Sequence, residues 1–315
     1  MPQPKKEKEK FLYLYGPVPS RRLGLSLGID IVPHKNCSYD CIYCQLGTTD
    51  YKTTSRKEYT PVRGILEEIK TAVANKQRID YITFSGSGEP TLHSGIGRII
   101  DGVKKMTSIP TAVLTNGSLL HQSDVRNDLI HASVVLPTLC TVNQEMFIKI
   151  HRSVPQLDIM EIVRGYIDFR RMFKGLIWLE LMIIKGINDK PEHITGMRSV
   201  IEEIAPDRIH LNTVARPPSE DYAEPVTAEV LERIKAMLGS KCEIIAEFRP
   251  PGEGHGDGDP SESILSIIQR RPVTIEDLIE VSGLTRGEII ERIEQLMKEG
   301  TVISSIHGDR RYYRT

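Results

Sequence analysis

One short loop concentrates the reactive chemistry of this sequence. Cys37, Cys41 and Cys44 stand together in the run HKNCSYDCIYC, whereas Cys140 and Cys242 lie far away from them and from each other. Five cysteines are an odd number for a disulfide framework, and the chance of meeting C-x-x-x-C-x-x-C by accident in such a chain is on the order of one in a thousand. Three thiolates at this spacing can hold three corners of a [4Fe-4S] cube and leave one iron without a protein ligand, open to a substrate or cofactor. The alternative is a structural zinc ion with His34 as its fourth ligand, although zinc sites usually pair their cysteines as two C-x-x-C knuckles and only one is present.

Such a loop needs a scaffold, and the hydrophobic patterning supplies one. β-Branched runs at 25–32, 81–85, 111–115, 133–138, 176–184 and 208–214 alternate with segments of helical period at 62–73, 96–105, 159–172, 193–204 and 227–238, the last opened by a Thr-x-Glu start at Thr227. Repeated β-then-α units with right-handed crossovers predict an α/β fold, either a doubly wound sheet or a barrel. In both, function gathers at the carboxyl ends of the strands, which is where the cysteine loop falls.

With aromatic Tyr43 before its last cysteine, the cysteine motif resembles the signature of the radical S-adenosylmethionine (radical SAM) superfamily, and the likeness covers most of residues 11–247. More narrowly, GPVPSRRLGLSLGIDIVPHKNCSYDCIYCQLG is similar to a wyosine-synthase-related subgroup of Fe-S oxidoreductases whose better-known relatives modify tRNA. The resemblance implies a partial (β/α)6 barrel of the TIM type, a [4Fe-4S] cluster on Cys37, Cys41 and Cys44, and SAM bound at the open iron through its amino and carboxylate groups. It also implies reductive cleavage of SAM to a 5′-deoxyadenosyl radical that takes a hydrogen atom from a substrate, with the electron coming from a donor such as a flavodoxin or ferredoxin.

The same resemblance gives expectations for the other strand ends. In SGSGEP, Gly86 and Gly88 let a ligand approach the backbone and Glu89 faces the amino group of SAM, with Ser87 departing from the family's Gly-Gly-Glu. Thr115 and Asn116, followed by Gly117, contact SAM or hold neighbouring loops. Thr138 faces the SAM carboxylate or ribose, and Arg152, near Lys149 in FIKIHR, can pair bidentately with that carboxylate. Gly186 and Asn188 resemble an adenine-contacting turn, and Asn212 and Arg216 lie near the mouth. Cys140, where relatives often carry Ser-Leu-Asp, is either a buried inert thiol or a catalytic one facing the substrate. Arg21 and Arg22 can line the substrate side, His34 and His93 are structural or catalytic, and Cys242 is structural.

Beyond the barrel the composition shifts. RPPGEGHGDGDPSES reads as an exposed connector, giving a disordered tail at 1–10, a barrel at 11–248, a linker at 249–262 and a winged helix-turn-helix at 263–315 built from three helical segments and two extended ones around Gly308 and Asp309. The third helical segment sets Arg286, Arg292 and Lys298 against Glu288, Glu291, Glu294 and Glu299, which disfavours DNA reading. The wing interleaves Arg310, Arg311 and Arg314 with Tyr312 and Tyr313, a tract able to stack on bases or grip a peptide.

Forty-one Lys and Arg against 42 Asp and Glu leave a formal charge of −1, so bulk positive charge does not argue for nucleic acid or an anionic membrane. No run has the length of a membrane span, and MPQPKKEKEK lacks the apolar stretch of a signal peptide, so the expected location is the cytoplasm. Three substrate readings stand at this level: RNA modification, chemistry on a peptide or small metabolite, and a redox sensor that uses the cluster and the winged helix.

Anaerobically purified protein is expected to be brown and to hold about four iron per chain. Replacing any one of Cys37, Cys41 or Cys44 by Ala removes the iron and its visible absorption, whereas stoichiometric zinc in a colourless protein refutes the cluster.

Overall fold

The computed structural model describes residues 11–75, 78–246, 264–265, 267–269, 272–282 and 284–315. The tail expected at 1–10 and the connector expected at 249–262 lie outside them.

The strands are β1 (Leu14–Ser20), β2 (Gly24–Ile29), β3 (Asn36–Cys37), β4 (Tyr51–Lys52), β5 (Tyr81–Phe84), β6 (Thr111–Thr115), β7 (Val134–Pro137), β8 (Leu176–Ile183), β9 (Arg208–Thr213) and β10 (Cys242–Ile244). All but β3 and β4 join one sheet in the order β1-β2-β5-β6-β7-β8-β9-β10. Every pairing from β2 to β10 is parallel, and β1 adds to β2 antiparallel. The edges β1 and β10 do not pair with each other, so the α/β sheet stays open as a partial barrel.

Helices α1 (Val62–Ala74), α2 (Ile96–Met106), α3 (Ser123–Leu129), α4 (Gln144–His151), α5 (Ile159–Met172), α6 (Pro191–Ile204) and α7 (Ala228–Leu238) fill the connections between the parallel strands. Period-two alternation sorts the strand side chains into two environments. Ile177, Leu179, Leu181 and Ile183 of β8 belong to the main core beneath the helices, with Ile82, Phe84, Val113, Val135, Ile209 and Leu211. The intervening Glu180 and Met182 of β8 face the lumen, as do Ser26, Thr83 and Asn212. Against Ile69 of α1, Ile99 and Val103 of α2, and Tyr166 and Phe169 of α5, the outer face buries the area that stabilises the barrel. The inner face is left free to be polar.

The six expected strands are present, with ends displaced by a few residues. β1 is not among the strands expected from the sequence, and Pro17 and Pro19 are residues that disfavour a strand. They are tolerated here on the sheet edge, where an irregularity between Tyr15 and Val18 interrupts the register. The short helices α3 and α4 are likewise not among the expected elements. Thr227 does occupy the N-cap of α7, but its side chain makes no capping hydrogen bond.

After the connector come helical residues at 264–265 and 267–269, then α8 (Ile275–Ser282), α9 (Arg286–Lys298) and the hairpin β11 (Ile303–His307) with β12 (Arg310–Arg314). Thr285 and Glu288 form a reciprocal capping box at the start of α9, and Gly308-Asp309 makes the two-residue turn of the hairpin. Ile264, Ile267, Ile268, Leu278, Ile289, Ile293 and Tyr313 share one apolar cluster with Val18 of β1, so this module is seated on the barrel's edge strand. Tyr312 Oη donates to Ala215 O at 2.9 Å, and His307 Nε2 lies 3.0 Å from Val214 O, which pins the hairpin to the loop after β9. Tyr312 and Tyr313 are therefore buried, correcting the expectation of a wing that offers them to bases or a peptide.

Placing a charge in that seam with Val18→Asp strands an unpaired carboxylate in an apolar cluster. Amides of α8 and α9 should then exchange faster with deuterium while those of β5 to β9 stay protected; unchanged exchange in the module means that Val18 does not hold it.

Candidate active site

The cysteine loop has almost no secondary structure of its own, so its shape is imposed by its neighbours. Cys37 sits on β3, which pairs with β4 through Asn36↔Tyr51 and Cys37↔Lys52. Lys35 N donates to Ser87 O at 2.7 Å, Glu89 N to Asn36 O at 3.0 Å, Asp40 N to His151 O at 2.8 Å and Ile42 N to Ile150 O at 3.0 Å. Glu220 N, in the loop after β9, donates to Ile42 O at 3.0 Å. The loop after β5, the last turn of α4 and the loop after β9 thus each grip the backbone that carries the cysteines.

The three sulfurs are half-buried and line a cavity of about 530 Å³ in the lumen. Burial, joined by the charge of Glu89, pushes the Cys37 thiol up to about 12, and burial with the neighbouring thiols pushes Cys41 well above its ordinary value. Two such thiols become thiolates only beside compensating positive charge, which an iron–sulfur core provides. Among the described residues, no three His, Cys, Asp or Glu side chains converge on a single ion, and His34 is exposed. This donor set suits a cube, in which each thiolate binds a different iron, better than one zinc ion.

Next to the sulfurs lies Glu89, which is 2% exposed. Its Oε1 accepts from Thr91 N at 3.0 Å, Thr91 Oγ1 at 2.6 Å and Thr115 Oγ1 at 2.6 Å, and its Oε2 accepts from Asn116 N at 2.7 Å. Burial raises its pKa and these donors oppose the rise. Oε1 takes three of these donors and Oε2 takes one, and together they tie the SGSGEP loop to the Thr115-Asn116-Gly117 turn while Oε2 can still accept a further donor. Asn116 extends the link, donating from Nδ2 to Ser38 Oγ at 2.8 Å and toward Cys37 Sγ at 3.4 Å. Ser87 departs from the family pattern for a visible reason: its N and Oγ donate to the Asp30 carboxylate at 3.1 and 2.5 Å. Two glycines are sterically required. A Cβ on Gly88 would lie 2.1 Å from Asn36 O, and one on Gly117, where φ is +75°, would lie 1.7 Å from the Tyr166 hydroxyl.

The opposite wall is polar. Arg22 pairs with Glu180, which also accepts from Asn212 Nδ2 at 2.9 Å. Burial pushes the Glu180 carboxyl up, but the Arg22 guanidinium and the Asn212 amide outweigh it and hold the carboxyl below its ordinary range. Arg21 and Arg216 complete this wall, and the C-terminal module contributes Ile267, Asp277 and Glu280.

Of the residues expected from the sequence, Cys37, Cys41, Tyr43, Cys44, Gly86, Gly88, Glu89, Thr115, Asn116, Thr138 and Asn212 come together on this cavity. Four others do not. Cys140 is 1% exposed among Ile42, Ile150, Ile184 and Val214, behind Tyr43, whose hydroxyl is 3.5 Å from its sulfur; burial pushes that thiol up to about 12. This apolar setting off the cavity agrees with the packing reading of Cys140 and places the thiol away from a substrate-facing position. Arg152 is the left-handed cap of α4 and is engaged by Glu220 at 2.6 Å and by the Tyr222 hydroxyl at 3.1 Å, which removes it from any SAM carboxylate. Gly186 lies exposed in the turn after β8. Asn188 is buried and closes that turn, accepting from Ile184 N at 2.7 Å and donating to Cys140 O and Met182 O at 2.9 Å each. His93 is likewise structural, with Nε2 2.9 Å from Thr60 O and Nδ1 accepting from Gly95 N at 3.0 Å.

Sequence reasoning missed Glu180, although an acid within the apolar run at 176–184 is itself a lumen signal. It also passed over His151, between the two cations of FIKIHR. His151 is buried, its Nδ1 is 3.1 Å from Cys41 Sγ, and burial lowers its pKa to about 3.

The sequence pattern of the Radical SAM superfamily matches residues 31–196. GTPase Obg of Brachyspira hyodysenteriae is 38% identical over 304 residues, covering 96% of this chain and 45% of that protein, so this chain spans under half of that relative's length. The sequence contains no Gly-Lys pair, hence no Gly-x-x-x-x-Gly-Lys-Ser/Thr phosphate loop to match that relative's name. A UPF0026 protein of Methanocaldococcus jannaschii is 34% identical over 309 residues, covering 95% of this chain and 94% of that one. The solved structure of TYW1 with a lysine-pyruvate adduct bound superposes with a TM-score of 0.52 at 16% identity, covering 68% of this chain and 72% of TYW1, a likeness of fold.

Cys140→Ser preserves volume and should cost about 1 to 2 kcal/mol in chemical denaturation, with the SAM cleavage rate and product yield per folded molecule unchanged. Selective loss of product at full stability would return this thiol to the chemistry.

Proposed function

Because the chain belongs to the radical SAM superfamily, whose enzymes use SAM with a [4Fe-4S] cluster, we propose that Cys37, Cys41 and Cys44 hold that cluster and that the adjoining cavity binds SAM and a compact substrate. The observation that carries this reading is the convergence of the three sulfurs with the loops after β5, β6 and β7 on one lumen of about 530 Å³. Held by Cys37, Cys41 and Cys44, such a cluster would supply the single electron for reductive cleavage of SAM, the chemistry by which this superfamily takes a hydrogen atom from a substrate.

This chain's own residues do the positioning. Glu89 and Asn116 fix the loop that faces the sulfurs, and the backbone at 85–88 and the Thr138 side chain offer polar partners for SAM. Arg22, Glu180 and Asn212 present a preset hydrogen-bonding wall for the substrate. The C-terminal elements, which we read as a winged helix, cover part of the mouth and limit water. A soluble electron carrier such as a flavodoxin or ferredoxin would reduce the cluster.

Substrate size separates the remaining readings. The tyrosines of the Tyr-Arg tract expected to grip RNA are spent on packing, the formal charge is −1, and α8 contributes to the wall of the cavity. These features favour a small metabolite over RNA, and the acidic α9 disfavours a DNA-bound sensor. No described helix is long and apolar enough to cross a membrane.

With SAM and dithionite, the reconstituted protein should release 5′-deoxyadenosine slowly, and the small-molecule fraction of a cell extract should accelerate the release. S-adenosylhomocysteine as the only product refutes radical cleavage, and acceleration by RNA alone refutes the compact substrate.

A further inference from the structure

Each of the three cysteine sulfurs meets one nitrogen from a different place in the fold. Lys35 Nζ is 3.3 Å from Cys44 Sγ, Asn116 Nδ2 is 3.4 Å from Cys37 Sγ, and His151 Nδ1 is 3.1 Å from Cys41 Sγ. The first two nitrogens are shared, Lys35 with Gly47 O and Asn116 with Ser38 Oγ. His151 makes the shortest of the three contacts, and its ring is held by its surroundings. It lies 4.6 Å from the Tyr39 ring at 31°, 5.3 Å from Phe147 and 5.9 Å from Tyr43, on the last turn of α4. The backbone fixes the same relation, since Asp40 N donates to His151 O at 2.8 Å.

We propose that His151 is a positioning residue that donates its Nδ1–H to the Cys41 thiolate and thereby raises the reduction potential of the cluster; this rests on the assignment of the cysteines as cluster ligands. A ligating thiolate carries no proton and can only accept, so the proton in this contact belongs to the imidazole. A donor at the sulfur withdraws electron density from the iron–sulfur core. Reduction adds one electron and no proton, making the core more negative, so the hydrogen bond strengthens on reduction and favours the reduced state. The aromatic rings around His151 hold the N–H on the sulfur and exclude water that would otherwise compete for it.

The test uses the full chain with its cluster reconstituted, comparing wild type with His151→Phe, which keeps a ring without a donor, and His151→Asn, whose amide can replace Nδ1–H. Iron content, the electron paramagnetic resonance of the reduced cluster and its midpoint potential are measured for each. His151→Phe should retain about four iron and lose about tenfold in the equilibrium constant for reduction, a drop of ~59 mV for a one-electron couple. His151→Asn should stay within about twofold of wild type. If the Phe variant does not load iron, His151→Leu takes its place in the comparison with Asn. A loaded non-donor variant with the wild-type potential, or an Asn variant shifted as far as the non-donor, overturns the proposal. Failure of wild type itself to bind a four-iron cluster overturns the cluster assignment instead.

Discussion

A buried carboxylate holds this site together. Glu89 lies where its desolvation costs several kcal/mol unless its oxygens are met, and two backbone amides with two threonine hydroxyls meet them. The two threonines and Asn116 belong to the loop after β5 and the turn after β6, so satisfying one charge fixes both loops at once. The Glu89 amide in turn donates to Asn36 O, beside Cys37. Glu89 therefore locates the first cysteine, the Asn116 amide and the Thr115 turn relative to one another. A loop bearing three thiols, with little regular structure of its own, depends on such outside contacts, to which Ile150 and His151 of α4 and Glu220 add theirs.

The second organising feature is the separation of functions across each strand. Outward positions carry the apolar area that stabilises the fold, which leaves the inward positions free to hold charges that a packed core would reject. Glu180 is tolerated because Arg22 and Asn212 satisfy it within the lumen, and the price is a polar wall whose hydrogen bonds must all close. Arg22 comes from the turn between β1 and β2, so the antiparallel strand added at the edge supplies half of an ion pair whose other half lies on β8. The edge strand contributes to function as well as to closure.

The same strand couples the barrel to the C-terminal module. Val18 joins the module's apolar cluster, while Tyr312 and His307 reach the loop after β9. The module thus contacts both sides of the open barrel, and its α8 faces the cavity. Burial of Tyr312 and Tyr313 in this contact changes the meaning of the basic tract: a pattern that suggests a ligand-gripping surface serves to attach one unit to another.

What the sequence alone determined is the local chemistry: three cysteines at a spacing fit for a cluster, the strand–helix alternation, and the placing of Thr115, Asn116 and the SGSGEP turn at strand ends. These follow from short-range facts, namely thiol spacing, hydrophobic period and turn residues, which need no partner across the fold. Which side chains face the cavity was decided by tertiary structure. Arg152, Asn188 and Cys140 have residue types suited to binding, yet the left-handed cap after α4, the turn after β8 and the segment after β7 direct them into ion pairs, a turn lock and an apolar pocket. His151, one residue from Arg152, is turned by that same helix onto the Cys41 sulfur. The left-handed cap at Arg152 breaks the helical path after His151, and the partners of the two residues come from distant segments, so no local pattern separates the residue that touches the cluster loop from the one that braces the surface.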